Sequence, residues 1–182
     1  MKKLTLSLIC LFTIAFSQDD INDDMGMKVY IGASSMSASY DSDYDFGRKN
    51  GLNFGLMKPI NDKTTFGVGY TNRGYILSDS WDEFEVNITG FELWATYNLF
   101  DLANGGNFWV GPSFAILTEG ELKYSGYYKE DFEIDDNDLS LMFGISFPFA
   151  SNSINLGYQR SLTKVNDDII FNQFFIDYSF GL

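Results

Sequence analysis

Few residues in this chain could do chemistry, and one absence decides most of the question. The 182 residues contain no histidine. Hydrolysis by a Ser-His or Asp-His pair therefore lacks its proton carrier, and the chain reads as a non-enzyme. The single cysteine, Cys10, lies in an apolar N-terminal run; once that run is removed, neither disulfides nor thiolate metal sites can form. Asp41, Asp43 and Asp45 make a D-x-D-x-D run. An EF-hand loop needs Gly at its sixth position and Glu at its twelfth, and Phe46 and Leu52 stand there. The run reads as a solvated acidic loop, and no metal or cofactor is expected.

Two groups of residues remain as candidates. Arg73, Glu92 and Asp177 are lone charges on faces otherwise made of Gly, Ser, Asn and Thr. In a narrow lumen such charges must pair or stay hydrated, as a salt-bridged plug or as a polar pathway. The segment from Glu119 to Asp138 interleaves Glu121, Glu130, Asp131, Glu133, Asp135 and Asp136 with Tyr124, Tyr127, Tyr128, Phe132 and Ile134. It is a candidate partner-binding loop. It reads either as an ordinary mobile loop or as a hairpin turning near Ser125-Gly126 that binds a partner by strand addition.

The elements that position these residues are strands. In FFIDYSFGL, Phe174, Ile176, Tyr178, Phe180 and Leu182 share one face, while Phe175, Asp177, Ser179 and Gly181 share the other, because side chains in a strand alternate with period two. Similar alternation recurs over about 27–40, 50–60, 64–77, 84–99, 108–119, 139–149 and from Ile154 to Ser161. No 3.6-residue apolar pattern of useful length predicts a helix. The apolar parity switches at Gly90, from Phe84, Val86 and Ile88 to Phe91, Leu93 and Ala95; a one-residue bulge there is expected. Pro112 removes a ladder bond in mid-strand and predicts a second bulge. Connections after strands two, four and six are short, the others longer and acidic.

The ends and the charge bound the rest. Lys2 and Lys3, an apolar run to Phe16 and the small residues Ala15 and Ser17 predict a cleaved signal peptide over 1–17. A flexible acidic leader over 18–26 and one barrel domain over 27–182 follow. The run is shorter than the ~20 residues of a spanning helix. The formal charge is −13, which argues against nucleic acid, whose phosphates need Lys and Arg.

The twelve Lys and Arg are too few to coat a soluble barrel, so the apolar face is expected to meet lipid. The predicted fold is all-β: an eight-stranded antiparallel up-and-down transmembrane β-barrel. The signal, the eight alternating strands and the terminal aromatic strand resemble the small outer-membrane β-barrel families. These are the OmpA transmembrane-domain-like, OmpX-like and porin-like barrels of Bacteroidetes-type bacteria. Such barrels usually end on an aromatic, whereas this chain ends Phe180-Gly181-Leu182. The resemblance implies a non-enzymatic outer-membrane protein with a structural or surface-interaction role, acidic extracellular loops and a side-chain-filled lumen. Its expected partners are outer-membrane lipid and lipopolysaccharide, the barrel-assembly machinery during insertion, and a surface or envelope protein. A narrow porin-like channel for small solutes, and a soluble exported barrel holding an apolar ligand, are the alternatives.

Overall fold

The structure, a computed structural model, describes residues 26–39, 46–78, 83–103, 105–124, 128–165 and 169–182. The segments expected to be a signal peptide and acidic leader, the Asp41–Asp45 run and the Ser125-Gly126 turn lie outside these residues, apart from Gly26. Eight strands close into one antiparallel barrel in sequence order: β1 (Lys28–Ser39), β2 (Lys49–Asn61), β3 (Thr64–Ser78), β4 (Glu83–Asp101), β5 (Asn107–Tyr124), β6 (Tyr128–Phe149), β7 (Asn152–Ser161) and β8 (Ile170–Gly181). Closure pairs β1 with β8 from Lys28↔Gly181 to Ser39↔Ile170. A closed ladder leaves no free edge where the strands are all paired.

One end is built from tight turns. Asn61 Oδ1 accepts hydrogen bonds from the Lys63 and Thr64 amides, both at 2.9 Å, the local bonding that suits Asn to turns. Leu102 N donates to Gly106 O at 2.7 Å, and Gly105 takes φ +75°, a conformation open to glycine without a Cβ clash.

The register aligns the outward apolar residues into a belt. Tyr178 of β8 faces Ile31, Ile31 faces Phe54, Phe54 faces Tyr70, and Tyr70 faces Phe91. The belt continues through Ile116 or Phe114 to Leu139, Leu141 and Phe143, then Tyr158 and Phe174. Rings meet along it: Phe54 and Tyr70 stack at 5.1 Å, and Tyr158 lies between Phe143 at 5.3 Å and Phe174 at 4.7 Å. Above it, on the loop side, the outward positions turn polar: Asn50, Asn72, Thr89, Thr118, Asn137, Arg160 and Asn172.

Past that polar ring the apolar side chains change faces. Phe91 points out and is 61% exposed, whereas Ile88, three residues away on the same strand, points in and is 1% exposed. The same exchange occurs on β1 (Ile31 out, Met36 and Ala38 in), β3 (Tyr75 in), β6 (Leu141 out, Ile134 in) and β8 (Ile176 out, Phe171 in). The inward set, with Val86, Ala115, Leu117, Val165 and Ile169, forms a single apolar core inside the loop end.

This corrects the bulge expected in strand four. The β3–β4 register runs unbroken from Thr64↔Tyr97 to Ser78↔Glu83, and Val86, Ile88, Glu92 and Trp94 all keep inward parity. The parity switch in the sequence records a change of surroundings, not an inserted residue. The bulge is on β5, where Thr118 is extra between the pairs Gly90↔Leu117 and Thr89↔Glu119. Pro112 does not produce a bulge either. The β4–β5 register is the same on both sides of it, at Trp94↔Ser113 and Tyr97↔Val110, with the two intervening rungs missing. The proline costs ladder bonds and shifts nothing, since it has no amide hydrogen to donate.

The connections also differ from expectation. Strands β3 to β6 run well past the belt, so the links at 79–82 and 125–127 are short. Most of the segment Glu119–Asp138 is strand, paired from Glu119↔Glu133 to Tyr124↔Tyr128.

Two truncations separate the surroundings. Ile88→Ala, in the loop-end core, is expected to lower the unfolding free energy by about 2–4 kcal/mol. Leu93→Ala, on the belt, is expected to cost clearly less, because surrounding lipid or detergent fills the gap. Urea titration of the refolded barrel in bilayers measures both; equal losses would contradict the assignment.

Candidate functional site in the barrel lumen

The interior has three levels. At the turn end lies a cavity of about 310 Å³, whose wall includes Tyr30, Asn53, Trp94, Trp109, Phe175 and Asp177 and whose mouth is framed by Asn98, Gly105, Pro148 and Asn152. Its wall is made by laying large rings over glycines on the neighbouring strand. Trp94 covers Gly67, Trp109 covers Gly144, and Phe175 covers Gly157. A Cβ at any of these glycines would run into the ring. Trp94 Nε1 donates to the Tyr30 hydroxyl at 3.3 Å, and Trp109 and Phe175 stack at 6.2 Å.

A polar layer closes this cavity. Arg73, 1% exposed, donates from one terminal nitrogen to Gln173 Oε1 at 3.1 Å. The other reaches Glu92 Oε1 at 2.8 Å and Asp138 Oδ2 at 3.2 Å. Gln159 Nε2 donates to Glu92 Oε1 at 2.5 Å and to Ser113 Oγ at 2.6 Å. Gln173 Nε2 donates to Asn53 Oδ1 at 3.4 Å, and Ser140 Oγ to Asp138 Oδ2 at 3.0 Å. Seven strands, β2 to β8, are thereby tied across the lumen. The third level, above Arg73, is the apolar core, and it fills the loop end with side chains.

Of the charges singled out in the sequence, Arg73 and Glu92 meet. Asp177 does not join them: it sits on the cavity side, opposite Gly32 of β1, and among the described residues no cation lies within ion-pair distance. Sequence reasoning missed Asp138, wholly buried and paired with Arg73, because it was counted with the acidic loop. Its parity with Ser140 and Met142 was the available signal. Gln159 and Gln173 were not singled out.

The candidate partner-binding residues scatter. Ile134 is buried in the loop-end core and Phe132 packs against it, over Gly120. Tyr124 meets Phe84 edge-on at 4.9 Å. Tyr127 lies outside the described residues, as does the Tyr128 side chain. What faces outward is charged: Glu121 bonds Lys129 at 2.8 Å and Lys123 at 3.0 Å. These two hydrogen bonds, Lys129 first, hold Glu121, well beyond the belt, below the ordinary carboxylate range. Among the described residues no cluster of three or more His, Cys, Asp or Glu could hold a metal ion.

Neither a family model nor a curated protein matches the sequence. Solved structures do. Neisserial surface protein A is 16% identical, with a TM-score of 0.68 over 86% of this chain and 97% of that one. Ail, the attachment invasion locus protein of Yersinia pestis, is 14% identical, with a TM-score of 0.54 over 85% of this chain and 99% of that one; it has also been solved with the heparin analogue sucrose octasulfate. The chain has the fold of the small eight-stranded outer-membrane β-barrels.

Arg73→Ala is expected to destabilise the barrel by about 3–5 kcal/mol, because it strands Glu92 and Asp138 without their buried cation. Adding Glu92→Gln and Asp138→Asn should recover part of that loss. The temperature at which the folded band disappears on unheated-sample gels reads both, and an unchanged Arg73→Ala midpoint would contradict the pairing.

Proposed function

We propose that this chain is a non-enzymatic outer-membrane protein with a closed lumen, which presents the extension of β3 to β6 at the cell surface in a structural or surface-interaction role. The observation that carries this reading is the exchange of apolar faces along the strands. Below the polar ring the outside is apolar, as lipid requires. Above it the outside is polar and the inside apolar, as water requires. Such a chain is suited to stand half in a bilayer and half out of it, with the turn end toward the periplasm.

The lumen supports the closed reading over the channel reading. Eight strands leave an interior that side chains can just fill. Here the Arg73 layer and the apolar core above it occupy the outer half. The soluble reading needed an apolar interior for a ligand; the apolar interior present is taken up by its own residues, while Phe54, Phe91 and Phe174 stand outside.

The extension offers charge rather than grease. In this reading the extension meets a surface or envelope protein, the belt meets outer-membrane lipid and lipopolysaccharide, and the assembly machinery is engaged during insertion. The acidic residues of 119–138 and the net charge of −13 do not suit a polyanion such as the one in the Ail complex.

Two measurements test the reading. Cysteines placed singly at Glu121 and Asn98 are probed on intact cells with a membrane-impermeant maleimide; labelling at 121 alone is expected, and labelling at 98 alone would invert the orientation. In planar bilayers the refolded barrel is expected to pass no steady current. Discrete conductance that grows on Arg73→Ala would move the function to the lumen.

A further inference from the structure

The turn-end cavity holds a charge that the fold leaves unanswered. Three carboxylates point into the middle of the lumen, Glu92, Asp138 and Asp177, and Arg73 engages the first two within 3.2 Å. Asp177 is 8% exposed, and its Oδ1 has no hydrogen-bond partner. The cation on the cavity wall, Lys28, stands four residues down β1 from Gly32, the partner of Asp177. That is roughly 13 Å at ~3.3 Å per residue. A buried carboxylate without a counter-charge is costly.

The surroundings of Asp177 are aromatic. Tyr30, Trp94, Trp109 and Phe175 line the same cavity, with Asn53 as the amide that hydrogen-bonds the carboxylate. Aromatic faces attract cations within about 6 Å of the ring centre, and more strongly where water is excluded. The cavity, about 310 Å³, lies at the lower end of the ~300–1,000 Å³ range of small-molecule sites. A hard metal ion would want several oxygen ligands, which these rings cannot supply.

We infer that this cavity binds a small organic cation, a primary or quaternary ammonium with a short apolar body, which enters at the turn end with Asp177 as its counter-charge and the four rings as its wall. Binding is independent of whether the barrel conducts. The Arg73 layer stops the ligand at mid-lumen, so the site receives without passing on. The ring-over-glycine packing fixes the wall before any ligand arrives, and little ordering is left to oppose binding.

The test uses the refolded barrel in alkyl maltoside micelles, which carry no ammonium group, at constant ionic strength. Choline is titrated while tryptophan emission is followed, since Trp94 and Trp109 both line the cavity. A saturable change is expected. The neutral isostere 3,3-dimethyl-1-butanol should bind at least tenfold more weakly to the wild-type barrel, a comparison that needs no variant. Asp177→Asn, checked for folding by its gel mobility, should weaken choline at least tenfold, while Glu121→Gln on the extension should leave it unchanged. Equal binding of choline and its isostere would make the site a neutral pocket and overturn the inference. So would full choline affinity in folded Asp177→Asn, or no saturable response to either choline or butylammonium.

Discussion

A closed antiparallel ladder gives each side chain two places to go, the inside or the outside, and every strand must alternate between them. The rest of this structure depends on that constraint, because the outside is not one medium along the length of the barrel. Where the outside is apolar, the inside must take the polar residues. Where the outside is polar, the apolar residues turn in. The chain meets both demands on single uninterrupted strands by exchanging which parity carries its Leu, Ile, Val and Phe. On β4 the exchange falls between Ile88 and Phe91, with Gly90 between them.

The Arg73 layer sits at that junction. Below it are amides, carboxylates and rings; above it are Met36, Ile88, Leu117 and Phe171. A guanidinium is suited to such a boundary. Its planar fork holds Glu92, Asp138 and Gln173 at once, and its charge answers carboxylates that would otherwise be buried alone. The layer ties β3, β4, β6 and β8 together across the lumen. It also separates the two interiors, so that the turn-end cavity is a blind vestibule.

Much of the fold was legible because period-two alternation is a local property. FFIDYSFGL declares its faces without any neighbour, and so does Leu141–Phe147; the strand number and the short turns at Asn61 and Gly105 followed from the same reading. The charges were legible in part: Arg73, Glu92 and Asp177 were inward by parity alone. What failed was whatever depended on a partner strand. Asp138 looked like one more acid in an acidic stretch until β3 brought Arg73 beside it. Phe132 and Ile134 looked like exposed aromatic and aliphatic contacts until the loop-end core closed over them. The two expected bulges were placed where a single strand showed an irregularity, but a bulge belongs to a pair of strands, and the one at Thr118 is visible in how β5 registers with β4 and β6.

The strands, their two faces and the absence of imidazole chemistry follow from residue type and spacing along single segments. Which charges meet, which rings cover which glycines, and that Asp177 faces the cavity with no cation within ion-pair distance among the described residues were settled by packing between strands. Those outcomes depend on register between strands a hundred or more residues apart in sequence, as with Arg73 and Gln173 or Asn53 and Gln173, and no local pattern encodes that distance.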